Sequence, residues 1–271
     1  MSDAVARRGL VLVGCGKMGG AMLHGWLEGG LPATSVWIKD PNPAAWLIDA
    51  GVNLNVDFPD APAVAVIAVK PQMMSEALPM VAALGGGETL VISVAAGTPI
   101  AKFEEVFGPD TPIIRAMPNT PAAIGRGITA IIGNDHVDDA QLSLAEELLS
   151  AVGQVVRLET EGQMDAVTAV SGSGPAYVFH LIETLAAAGE AQGLGPELAM
   201  QLAKATVGGA GELAETAAED PSQLRVNVTS PNGTTQAALE VLMNEADGFP
   251  ALLRRAVKAA ADRSKELSRD G

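Results

Sequence analysis

The chain has 271 residues, 48% of them hydrophobic, with a net charge of −15 and a single cysteine, Cys15. That length suits one large or two medium domains with a sizeable core, and a pI near 4.5 argues against nucleic acid, whose binding needs clustered Lys and Arg. No apolar run reaches the ~18 residues of a membrane span. The N-terminus runs almost directly into the first strand, with only Arg7 and Arg8 as basic residues, too little for a signal peptide. With one cysteine there is no intrachain disulfide, so a cytoplasmic protein is expected.

Leu10-Val11-Leu12-Val13 is a short apolar run of buried-strand type, and Ala21–Leu27 puts Met22, Leu23, Trp26 and Leu27 on one helical face. Between them stands Gly14-Cys15-Gly16-Lys17-Met18-Gly19. A G-x-G-x-x-G turn between strand and helix is the setting of a dinucleotide fingerprint. The first glycine allows the turn, the second lets a pyrophosphate approach the backbone, and the third lets helix and sheet pack closely. Free N–H groups at the helix start then hold the phosphates. Cys15 is read as a small packing residue, since no motif partners it as a nucleophile.

The second strand is expected at Ser35–Ile38, ending in Lys39-Asp40. Asp40 lies about 20 residues past the glycines, where a carboxylate grips the ribose 2′-OH of NAD. Lys39 would instead favour a 2′-phosphate, but strand neighbours point to opposite faces. NADH should therefore be used well, with any preference for NADPH small. A helix is expected from Pro41 through Asp49.

Ala63–Val69 and Thr89–Val94 are near-continuous apolar strands, as in the middle of a parallel sheet. The first ends in Lys70-Pro71-Gln72, the second in Ala95-Ala96-Gly97, whose small side chains leave room for a ligand; strand ends of this kind bind ligands in open α/β sheets. A helix starts near Pro99, a strand runs over Pro112–Met117, and Pro118-Asn119-Thr120-Pro121 makes a stiff loop after it. Gly127–Ile132 and Val155–Leu158 read as strands around a helix from Asp138-Asp139 to Ala151. Alternation of strand and helix argues for a doubly wound, mostly parallel Rossmann-type sheet over residues 1–160.

After Thr160 the pattern turns helical, apart from a short strand-like Val226–Val228. Helices fit Met164–Ala169, Ala176–Gln192, Glu197–Glu219, Thr234–Asn244 and Ala251–Leu267. Gly208, Gly209 and Gly211 inside the third cost ~1 kcal/mol each relative to alanine, for which close helix–helix approach would compensate. Such an Ala- and Gly-rich block makes a thin core alone, so residues 161–271 are expected to form an all-α domain completed by a second subunit. Before the fourth of these helices, the N–H groups and the Ser230, Thr234 and Thr235 hydroxyls offer a carboxylate site, or an ordinary cap. His24, His136 and His180 read as structural, and Asp138 and Asp139 as helix-start acids rather than metal ligands.

Six stretches carry a family resemblance: GCGKMG (14–19), AVKPQ (68–72), SVAAG (93–97), RAMPNTP (115–121), AVSGSGPAYVF (169–179) and VTSPNGTT (228–235). In this order and spacing the chain closely resembles the pyrroline-5-carboxylate reductases. The resemblance implies hydride transfer from NADPH or NADH to the C=N bond of 1-pyrroline-5-carboxylate, the last step of proline biosynthesis. It implies a homodimer through the helical domain, assembled in some members into larger rings. It places nicotinamide near Ala68-Val69-Lys70-Pro71 and Met117-Pro118-Asn119, with Ala95–Gly97 also in the cofactor site. It gives substrate contacts to Ser230, Asn232, Gly233, Thr234 and Thr235, the Thr235 hydroxyl meeting the ring nitrogen. Glu161 is implied beside the substrate and Asn227 beside the cofactor. Two residues depart from the family. Asn232 replaces a usual Gly, although Asn accepts the same left-handed backbone. Asp40 replaces a usual Ser, Thr or Asn, which bears on the choice of cofactor.

Two other classes remain open. A β-hydroxyacid dehydrogenase would need a catalytic Lys and then an Asn where this chain has Val178 and Ile182. A non-catalytic NAD(P)H sensor would have no use for the TSPNGTT loop.

Overall fold

The structure, a computed structural model, describes residues 3–270. Eight strands form one sheet: β1 (Leu10–Val13), β2 (Val36–Lys39), β3 (Asn53–Leu54), β4 (Val64–Ile67), β5 (Leu90–Ser93), β6 (Ile113–Met117), β7 (Gly127–Gly133) and β8 (Gly153–Arg157). Their order is β3-β2-β1-β4-β5-β6-β7-β8. All neighbours are parallel except β6 and β7. The short link between those two, built on the 3-10 turns of Thr120–Ile124 and a left-handed Gly125, cannot span a parallel crossover, so β7 runs back.

The polypeptide forms two compact units, one running to Gly172 and resuming at Ala260, the other Ser173–Ala259. In the first, strand alternation feeds two cores. Leu10 and Leu12 of β1 face Met22, Leu23 and Trp26 of helix Lys17–Glu28, with Leu148 and Leu149 of helix Asp139–Ser150. The buried Trp26 indole N–H donates to the Leu148 carbonyl at 2.8 Å. On the other face Val11 and Val13 join Ala65, Ile67, Phe103 and Phe107. In the second unit, helices Gly174–Ala191 and Pro196–Thr216 pack together, but its buried cluster is three alanines, Ala186, Ala199 and Ala203. Helices Pro221–Asn227, Thr234–Leu242 and the first part of Phe249–Asp270 complete it.

Several expectations are corrected. Val226–Val228 is not a strand: Pro221, after an extended Asp220, starts a helix that takes in Val226. Helix Pro41–Asp49 shrinks to Trp46–Asp49: the Asp40 carboxylate accepts the Asn42 N–H and holds the chain in a bend before it. A Cβ at Gly208, Gly209 or Gly211 would meet nothing within 4 Å among the described residues, so the close approach expected there is not made within this chain's described part. The helix after Glu161 ends as a π-turn over Thr168–Gly172. Short helical turns fill residues 71–84, where no element was expected.

Candidate functional site

The strand ladders bring Val13, Ile67 and Ser93 into line, so the loops after β1, β4 and β5 emerge at one sheet edge. The order reverses between β1 and β4, the switch point at which open α/β sheets bind ligands. Each glycine of the first loop has a distinct steric reason. Gly14 has φ +87°, and a Cβ there would stand 2.9 Å from the Ala68 carbonyl oxygen. A Cβ at Gly19 would stand 2.3 Å from the Gly14 carbonyl oxygen. At Gly16 it would meet nothing within 4 Å, so that side of the turn is open. Helix Lys17–Glu28 has Gly16 as its N-cap, with no side chain capping its first-turn amides. Lys17 and Met18 thus present N–H groups beside an open glycine, the cradle a pyrophosphate needs.

Asp40, just past β2, is fixed against this loop. One carboxylate oxygen accepts the Cys15 N–H at 2.7 Å and the other the Asn42 N–H at 2.8 Å. Asn55, with φ +55°, holds the Asp40 backbone from both sides, accepting its N–H at 3.0 Å and donating to its carbonyl at 2.9 Å. Lys39 goes the other way, its ammonium 6.0 Å above the Phe58 ring. Burial, and then the Asp40 charge, push the Cys15 thiol up to about 12. It stays protonated at neutral pH, a packing residue as expected.

Around the edge, Ala68 continues the ladder, its N–H donating to the Val13 carbonyl at 2.8 Å. Val69 and exposed Lys70 and Pro71 follow it, and Ala95, Ala96 and Gly97 follow β5, with Gly97 at φ +76°. Met117 ends β6, and Pro118 and Asn119 follow it. The Asn119 side chain accepts the Ile128 N–H at 2.9 Å and donates to the Ser171 carbonyl at 3.2 Å, joining this loop to β7 and the π-turn. One Glu161 oxygen accepts both the Ile100 N–H at 3.0 Å and the Arg115 guanidinium at 2.7 Å. Its other oxygen has no partner among the described residues. Arg115, 4% exposed, is a site residue that went unnoticed in the sequence. The signal was there: a charge inside the apolar strand Ile113–Met117 demands a buried acid.

The second unit holds the remaining candidates. Asn232 takes φ +58°, the left-handed conformation expected of it, and its N–H donates to the Gln236 side chain at 2.8 Å. Gly233 is then the N-cap of helix Thr234–Leu242, with no side-chain cap. Among the described residues the Ser230, Thr234 and Thr235 hydroxyls have no hydrogen-bond partner, so the alternative of an ordinary cap does not apply. Asn227 closes helix Pro221–Asn227, and its side chain accepts from Gln223 at 2.8 Å.

His24 stacks on Trp46 at 4.1 Å, His180 pairs with Glu183 at 3.1 Å, and Asp138 caps its helix through a reciprocal bond with Gln141.

Comparison with known proteins gives the family. A family model for pyrroline-5-carboxylate reductase dimerisation matches residues 161–267, and one for NADP oxidoreductases, coenzyme F420-dependent, matches residues 9–97. A pyrroline-5-carboxylate reductase of Pseudomonas aeruginosa is 40% identical over 265 residues, 96% of each chain. The structure of a pyrroline-5-carboxylate reductase from Coxiella burnetii superposes with TM-score 0.88 at 34% identity, covering 96% of this chain and 98% of that one. A Plasmodium falciparum pyrroline carboxylate reductase solved with NADP bound gives TM-score 0.82 at 29% identity, covering 97% and 99%. With that identity carried along both chains, the protein belongs to the pyrroline-5-carboxylate reductase family of NAD(P)H-dependent oxidoreductases.

Proposed function

We propose that residues 1–160 hold NADPH or NADH, that residues 161–271 form the substrate-binding and dimerisation domain, and that together they reduce 1-pyrroline-5-carboxylate to L-proline. The observation that carries the cofactor assignment is the uncapped helix start behind Gly14, Gly16 and Gly19, open at Gly16 alone. A bound reduced nicotinamide supplies the hydride. The chain's own part is positioning, which provides much of the acceleration of such reactions. The Lys17 and Met18 amides take the pyrophosphate; Ala68–Pro71, Ala95–Gly97 and Met117–Asn119 wall the nicotinamide end. Lys39 turns to Phe58, so it leaves the Asp40 charge unopposed at the adenosine ribose. Asn227 is assigned to the cofactor with less support, its side chain being engaged by Gln223.

The substrate carboxylate is assigned to the Thr234–Leu242 helix start, with Ser230, Asn232, Gly233 and Thr234, and the ring nitrogen to the Thr235 hydroxyl. The unpartnered oxygen of Glu161 is available to the substrate as well. A ring imine accepts a proton far more readily than a ketone, so the iminium arrives activated and no strong general acid is required. The reaction fits a cytoplasmic enzyme with one buried cysteine. No described helix is long and apolar enough to cross a membrane.

The test is NADPH oxidation with and without 1-pyrroline-5-carboxylate. Oxidation that depends on the imine is expected; cofactor binding without turnover would overturn the assignment in favour of a sensor. Thr235→Ala should lower kcat/KM for the imine roughly 10- to 100-fold, the ~1–3 kcal/mol of one lost hydrogen bond, and leave cofactor affinity unchanged. Wild-type turnover in folded Thr235→Ala would remove Thr235 from the site.

A further inference from the structure

We infer that the last turns of the chain brace the loop after β5, making Ser264 and Leu267 positioning residues for hydride transfer. Residues from Ala260 onward cluster with the sheet unit. There Gly97 faces Leu267: a Cβ at Gly97 would stand 3.5 Å from the Leu267 Cβ, ordinary van der Waals contact. Three helical positions earlier, Ser264 is 4% exposed, and its hydroxyl donates to Asp165 at 2.6 Å. Asp165 lies on helix Met164–Val167, which follows Glu161, and Glu161 accepts the Ile100 N–H just beyond the same loop.

One stretch, residues 161–167, therefore holds both the helix that follows the Ala95–Thr98 loop and the C-terminal turn that backs onto it. Gly97, at φ +76°, has no side chain of its own to hold the loop. Leu267 lies across from it with room for about one carbon between, and the helix that follows the loop is tied to Glu161 at the Ile100 N–H. A loop held at such points keeps a ligand at its edge within reacting distance, and small displacements there cost rate more than binding.

The inference rests on placing Ala95–Gly97 beside the nicotinamide, and the test separates the two. Leu267→Gly, which removes the Cβ facing Gly97, Ser264→Ala and Ser264→Thr would be made in the full chain. Leu267 is 47% exposed, so its truncation leaves no cavity deep in a core. Hydrogen exchange over residues 95–98 should speed up about tenfold in Leu267→Gly and Ser264→Ala. Their kcat should fall about three- to tenfold, while the dissociation constant for NADP+ stays within twofold, because the glycine turn is untouched. Ser264→Thr, which keeps the hydroxyl, should restore both exchange and kcat. Unchanged exchange would overturn the brace. Faster exchange at wild-type kcat would overturn the positioning role, as would a loss of kcat that Ser264→Thr fails to rescue. If the wild type shows no imine-dependent turnover, the functional assignment fails instead, and the exchange data still judge the brace.

Discussion

The sheet unit and the helical unit solve the same problem with unequal means. In the sheet unit every residue of β1, β4 and β5 is buried, and Trp26, Phe103 and Phe107 fill the space between strands and helices. In the helical unit three alanines form the buried cluster, while Val178, Phe179, Leu185, Leu198, Leu202 and Leu213 remain exposed. Burying such a side chain contributes about 1.5–3 kcal/mol. A single copy of the helical unit forgoes that contribution many times over, and a region matched by a dimerisation family model recovers it against another copy. In the sheet unit Gly14 and Gly19 mark internal close approaches. In the helical unit Gly208, Gly209 and Gly211 have open space around them.

That contrast predicts opposite responses to adding a side chain. The largest effect is expected at Gly19, where a methyl group would collide with the Gly14 carbonyl. Gly19→Ala should weaken NADPH binding at least about 30-fold, roughly 2 kcal/mol, measured by cofactor fluorescence titration. Wild-type affinity would show that the turn yields and that its tightness has no part in binding.

At Asp40 charge rather than space is at stake. The 2′-phosphate of NADPH repels a carboxylate by ~1–4 kcal/mol per unit-charge pair at 4 Å, between the limits for water and protein surface. Because two amides hold that carboxylate still, it cannot swing away without losing both bonds. Asp40→Ser should shift the ratio of kcat/KM values toward NADPH, in steady-state comparison with NADH. A hundredfold NADPH preference in the wild type would show that the charge does not face the ribose.

The contrast also explains what could be read from the residues alone. β1, β4 and β5 are continuous apolar runs ending in small or charged residues, and a strand buried on both faces has no other appearance. The glycine turn was legible because Gly14 and Gly19 have steric reasons that hold in any setting. The two-residue β3 was not, since it exists only through its pairing with β2. Nor was the reversal of β7, which depends on how little chain separates it from β6. Apart from Asn42, the partners of Asp40 and Glu161 come from 15 to 61 residues away, beyond any local pattern. In the helical unit, apolar spacing marked the helices but not which faces stay uncovered. Gly208–Gly211 suggested a close approach, and among the described residues nothing approaches.

The most direct measurement is sedimentation velocity at micromolar concentration on the wild type and on Gly209→Leu. The wild type should sediment as a dimer or larger. Gly209→Leu has open space around it in the single chain, so it should keep the wild-type circular dichroism and raise the dimer dissociation constant about tenfold. A stable wild-type monomer at that concentration would contradict the account, since the helical unit would then stand on its three buried alanines alone.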